Sequence, residues 1–160
     1  MSLSLTELTW LALAAYSVHM LEEFIFDWRD WARNVLHLNV TWDQFYITNA
    51  VVVVLGIVAA ELAAAIPAVA LGFPALMLIN ATFFHVLPFL VTRGRFSPGL
   101  VTAVILFYPV GIACYLRASS AGDLNAGSLI GSLLLGAALM ASPVVMIKLK
   151  DRPYFRQDRP

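Results

Sequence analysis

Five stretches of about twenty predominantly apolar residues, parted by short polar breaks, make up most of this chain, and that length is what one helix needs to cross the roughly 30 Å hydrocarbon core of a bilayer. Backbone amides in lipid find no water, so each stretch is expected to be helical. They run roughly from Leu5 to Phe26, Phe45 to Ala64, Ala68 to Val91, Ser97 to Leu116 and Leu124 to Ile147. Ile66-Pro67 marks the break between the second and third. Ser97-Pro98-Gly99 opens the fourth with a capping serine and a proline suited to the first turn. In a chain of 160 residues these spans leave no separate soluble domain. The expectation is one all-α integral-membrane bundle of five transmembrane helices over residues 1–160.

Only 12% of the residues are charged, where a soluble domain carries about 25%. Ten Lys and Arg balance ten Asp and Glu, which argues against nucleic acid as a partner and leaves membrane lipid as the surroundings. Cys114 is the one cysteine, so an internal disulfide and a multi-cysteine metal site are excluded. The first stretch lacks the basic region and cleavage site of a signal peptide and is expected to be retained. Five spans put the chain ends on opposite sides. With the basic tail in the cytoplasm, Arg29, Arg33, Arg93, Arg95, Lys148, Lys150, Arg152, Arg156 and Arg159 fall inside and Arg117 alone outside, the asymmetry of the positive-inside rule. The expected placement is multi-pass in the inner, cytoplasmic membrane, N-terminus out and C-terminus in.

Between the first two spans, Trp28, Trp31, Val35 and Leu38 recur at helical spacing opposite Arg29, Asp30, Arg33 and His37, the pattern of an amphipathic helix lying in the membrane interface. Trp42, Phe45 and Tyr46 then anchor the re-entry. The fifth span carries Gly127-x-x-x-Gly131 and Ser128-x-x-x-Ser132-x-x-x-Gly136. Such small residues let helices approach closely, within the bundle or across a homodimer.

Ionisable groups stand out against this background. His19, Glu22 and Glu23 lie on one face of the first span, because positions i, i+3 and i+4 stack. A charged side chain near the bilayer centre costs roughly 2.5–3.5 kcal/mol on insertion scales, so the cluster is expected to face the bundle interior and to have a function. His19 and His85 each lie about seven residues from the cytoplasmic end of their spans, with Glu22 and Glu23 slightly nearer that end and Asn49 at a similar height. Asn80 lies about a turn and a half deeper. Asn80 and His85 are about 140° apart on a regular helix. Pro88 withholds the amide that the Phe84 carbonyl would use and bends the helix beside His85. Thr82, on the His85 face, is an alternative polar neighbour.

His19-Met-Leu-Glu22-Glu23, the segment from Asn80 to His85, and the run from Arg95 through Ser97-Pro98-Gly99 to Ala103 together resemble the small bacterial integral-membrane family named for its HXXEE motif. The resemblance covers about Trp10 to Pro109. It implies a shared fold and shared polar residues rather than a reaction.

Chemistry offers three roles for the cluster. In a metal-dependent enzyme, two imidazoles and one carboxylate form a ligand set for Zn²⁺ or non-haem iron, with open positions for water and substrate. His19, His85 and Glu23 would be ligands and Glu22 a general base or an orienting group, the two glutamates being interchangeable at this stage. Without metal, a desolvated glutamate could protonate an alkene or epoxide in a sterol-like or terpenoid-like substrate. The third role is a proton or metal-ion carrier. Against it, Glu61 is the main polar group of the outer half and is expected to snorkel to the interface. Asn49 and Asn80 serve as interhelical glue or as contacts to an apolar or amphipathic substrate. Arg93 and Arg95 serve as topology anchors, or Arg95 holds a substrate phosphate at the start of the fourth span.

Overall fold

The computed structural model describes residues 3–150 and 152–155. Arg156 and Arg159 of the basic tail, and the side chain of Lys150, lie outside that description. Among the described residues every regular element is helical. The long helices are α1 (Leu5–Ile25), α3 (Trp42–Leu62), α4 (Pro67–Val91), α5 (Leu100–Ala121) and α6 (Ala126–Lys150). Between α1 and α3 lies the short α2 (Trp28–Val35).

Sequence chemistry sets several of these ends. Ser4 and Glu7 form a reciprocal capping box at α1, and Thr41 and Gln44 form another at α3, each satisfying amides that the first turn leaves free. Pro67 occupies the first turn of α4, where a missing N–H costs nothing. The start of α5 corrects the expectation of a Ser97 cap. Gly99 is left-handed at φ +95°, the helix begins at Leu100, and Ser97 is wholly buried and turned toward α4. The interfacial helix is also shorter than its pattern, ending at Val35, with Leu38 in the following loop.

α1 and α4 form the centre, with α3 and α5 packed against both and α6 laid along α4. One core joins Tyr16, Phe73, Met77, Ala81, Ala103 and Phe107; a second, at the other end, joins Leu5, Leu8, Leu71, Cys114 and Ala118. The two small-residue registers of α6 part company. Ser132 is buried and hydrogen-bonded to Tyr115, and a Cβ on Gly136 would sit 2.7 Å from the Leu76 amide nitrogen, so this face packs on α4. Nothing lies within 4 Å of a Cβ at Gly131.

α3, α4, α5 and α6 are long and apolar enough to cross a membrane, which marks the chain as a membrane protein. α1 matches α3 at 21 residues but falls outside that group, where five spans were expected. Glu7, His19, Glu22 and Glu23 all stand in it. α2 tucks beneath the bundle with Trp31 and Ala32 buried. On its outer side Arg29 pairs with Asp30 at 2.9 Å and holds that carboxyl below the usual carboxylate range.

Candidate functional site

The alternation of buried positions along α1 turns His19, Glu22 and Glu23 inward together. The two glutamates then separate in role. Glu22 accepts hydrogen bonds from the backbone amides of Val101 (3.1 Å) and Thr102 (2.8 Å) and from the Thr102 hydroxyl (2.6 Å). It therefore caps α5, whose first amides have no partner within the helix. Glu23 points elsewhere, with Oε1 3.5 Å from Nε2 of His19 and 3.5 Å from Nε2 of His85.

Hydrogen-bond accounting fixes what the imidazoles present. The Thr102 hydroxyl owns one proton, and its neighbours Glu22 and the Gly99 carbonyl are both acceptors. It must then accept from His19 Nδ1–H, 2.8 Å away. At His85, Nδ1 lies 3.1 Å from Ser97 Oγ, which also contacts the Phe84 carbonyl at 3.3 Å. That carbonyl lacks its usual amide because residue 88 is proline. Both bonds form together only if His85 Nδ1–H donates to Ser97 and Ser97 donates to Phe84. In the neutral ring each Nε2 is then a lone pair on the Glu23 side. Both are buried without a hydrogen bond.

His19 is 1% and His85 0% exposed. Their rings meet edge to face at 4.7 Å, with Phe107 4.2 Å from His19 and Trp31 stacked over His85 at 6.5 Å. The Gly99 backbone also packs directly against both imidazoles. A Cβ on Gly99 would lie 2.6 Å from His85 Cε1 and 2.7 Å from His19 Cε1, so only glycine lets the start of α5 close over the pair.

Asn80 joins the site through a change in helical winding. Residues Ala81–Val86 form a π-helical turn, in which the hydrogen bond runs from i to i+5 and residues five apart stack. The 140° offset expected between Asn80 and His85 is much reduced, and Asn80 comes beside His19. Its Oδ1 is buried and makes no well-directed hydrogen bond. With Tyr16, Asn49, Trp28 and Glu23 it lines a cavity of about 80 Å³.

The other expected residues are placed differently. Asn49 accepts from the Tyr16 hydroxyl at 2.6 Å and donates to the Phe45 carbonyl at 2.9 Å, so its groups are engaged within the bundle although it borders the cavity. Thr82 turns to the Leu78 carbonyl and the Tyr108 hydroxyl, away from the histidines. Arg93, Arg95 and Glu61 are exposed. Ser97, Gly99 and Thr102 were absent from the expected site; their signal was the run from Arg95 to Ala103, within which nothing local singles them out. Trp31, read from the sequence only as part of the apolar face of an interfacial helix, is buried against His85.

His19, Glu23 and His85 offer one ligand atom each within 4.8 Å of one another. Among the described residues they are the group of three with that property. A family profile described as "Protein of unknown function with HXXEE motif" matches residues 10–114, well over half the chain. The chain belongs to the HXXEE family. The matched region holds all three residues, together with Glu22, Asn80, Ser97, Gly99 and Thr102. No curated protein and no solved structure matches the chain.

Proposed function

We propose that this HXXEE protein is an enzyme that crosses the inner membrane five times, N-terminus outside, and binds one divalent metal ion for hydrolytic or oxidative chemistry on a lipid-like substrate. His19, Glu23 and His85 hold the ion, Zn²⁺ or Fe²⁺. One observation carries the reading: Nε2 of His19, Nε2 of His85 and a carboxylate oxygen of Glu23 converge in a buried site, and neither imidazole nitrogen has a hydrogen-bond partner. Such a meeting is repulsive until a cation occupies it. Ligand atoms 2.0–2.1 Å from a tetrahedral centre lie about 3.3–3.4 Å apart, close to the 3.5 Å from Glu23 to each ring. A neutral carboxyl giving its proton to one imidazole would instead draw that pair inside about 3.2 Å.

With three protein ligands, such an ion keeps open positions and supplies Lewis acidity. This chain's own part is orientation. Thr102 and Ser97 hold the rings by their far nitrogens, as outer-sphere partners of ligating histidines do, and Glu22 fixes Thr102. Glu23 alone of the ligands borders the cavity, so substrate meets the site on that side.

Elemental analysis of protein purified in detergent without chelators tests this. Wild type is expected to carry about one Zn or Fe per chain, and Glu23→Gln and His85→Ala under about a tenth of that, because loss of one of three ligands removes most of the affinity. Metal-free wild type would overturn the reading in favour of acid–base catalysis by Glu23. Proteoliposome ion flux abolished by both substitutions would turn it to a carrier.

A further inference from the structure

We infer that the seam between α3 and α6 admits a neutral, hydroxyl-bearing, single-chain lipid from the membrane, whose hydroxyl seats between Trp28 and Asn80 beside Glu23. Its role as substrate rests on the metal-enzyme reading; its seating does not.

α6 packs on α4, and its contact with α3 is slight. The gap is an apolar groove of about 430 Å³ between Val51 and Leu55 on one side and Leu139 and Met146 on the other. Gln44, Thr48, Pro143 and Ile147 line both this groove and the cavity beside Glu23, so the two spaces adjoin. On the α6 wall Pro143 has no amide for the Leu139 carbonyl, and the Ser142 hydroxyl takes it instead at 2.9 Å. That leaves the wall without a free polar group at this level. From Gln44 to Leu55 the groove follows about 16 Å of helix. This is half of the roughly 30 Å hydrocarbon core, the reach of one acyl chain in one leaflet.

The inner end selects the headgroup. The Asn80 Oδ1 acceptor and the Trp28 Nε1–H donor are both buried, neither makes a well-directed hydrogen bond, and both residues line the cavity. One acceptor and one donor together match a hydroxyl, which donates and accepts. Among the described residues Glu23 is the only charged side chain in the lining of either space. No cationic side chain among them lines either space to pair with a phosphate or carboxylate, and in the metal-free protein Glu23 would repel one.

The test uses the full chain in detergent, with 1-monooleoylglycerol as probe and binding followed by native mass spectrometry. In protein stripped of metal by a chelator, saturable binding is expected, at least about tenfold tighter than that of oleoyl lysophosphatidate. Thr48→Trp fills the junction of groove and cavity and is expected to weaken binding about tenfold with metal content unchanged; Asn80→Leu removes the acceptor and is expected to weaken it similarly. Equal affinity for the lysophosphatidate, or an unaltered Thr48→Trp, overturns the seating even if Asn80→Leu fails to fold. Wild type that binds the monoacylglycerol but no metal would sink the enzyme reading and leave the seating standing. Full metal content without headgroup preference would do the reverse.

Discussion

At the scale of single residues, the site depends as much on an absent side chain as on those present. Gly99 meets two demands at once, a left-handed backbone at φ +95° and contact with both imidazoles. Gly99→Ala carries a backbone cost of roughly 1–2 kcal/mol and also drives a methyl group into two rings that have no free space to retreat into. Gly122 supplies the control, being left-handed at φ +81° with nothing within 4 Å of a Cβ. Gly99→Ala is expected to lower metal content at least about tenfold, and Gly122→Ala to lower only thermal stability, by the same backbone cost. Elemental analysis beside thermal unfolding in detergent separates the two, and a Gly99→Ala protein with full metal would remove the proposed centre from between these rings. The histidines and both glutamates were legible in the sequence. What distinguishes Glu22 from Glu23 was not, because it is the start of α5, 79 and 80 positions away in the chain.

At the scale of elements, the π-helical turn at Ala81–Val86 is the device that lets one helix present Asn80 and His85 together. A regular period of 3.6 residues separates them, and no sequence pattern announces a local change of winding. Pro88 was the visible hint, since it withholds the amide that would otherwise hold the Phe84 carbonyl in regular register. The turn amounts to one residue more than an α-helix needs. Deleting the lipid-exposed Phe83 would therefore restore regular winding with Asn80 and His85 four apart, still on one face. Inserting one alanine after Phe83 would swing His85 by about 100°. The deletion is expected to keep metal content within about twofold of wild type, and the insertion to lose about tenfold or more, with helicity by circular dichroism unchanged in both. Loss of metal on deletion, or its survival on insertion, would show that the winding does not position His85.

At the scale of the whole molecule, the topology turns on α1, which matches α3 in length but not in mean hydropathy. Its mean hydropathy counts polar residues without regard to direction, and the ionisable ones of α1 do not face lipid. His19, Glu22 and Glu23 are buried against α4 and α5, and Glu7 is tied to Ser4 at the helix start. Trp10, Leu11, Val18, Leu21, Phe24 and Ile25 are among the residues α1 exposes, and the exposed Ser17 returns its hydroxyl to the Leu13 carbonyl at 3.1 Å. The helix also runs the full depth of the bundle, from Leu5 and Leu8 in the core at one end to His19 at the other. Arg117 binds the Leu3 carbonyl at 3.1 Å, which puts residue 3 at the end opposite the exposed loop that carries Arg93, Arg95 and Phe96. On the proposed topology, five spans with the arginine-rich end in the cytoplasm, the side of each exposed position follows. In a Cys114→Ala background, an impermeant maleimide applied to intact cells is expected to label Leu3→Cys and Asp123→Cys, and to label Phe96→Cys only after the membrane is opened. Labelling of Phe96→Cys alone in intact cells would invert the bundle. Labelling of Asp123→Cys without Leu3→Cys would take α1 out of the membrane, and with it the lipid setting that makes a buried His-Glu-His cluster costly enough to demand a function.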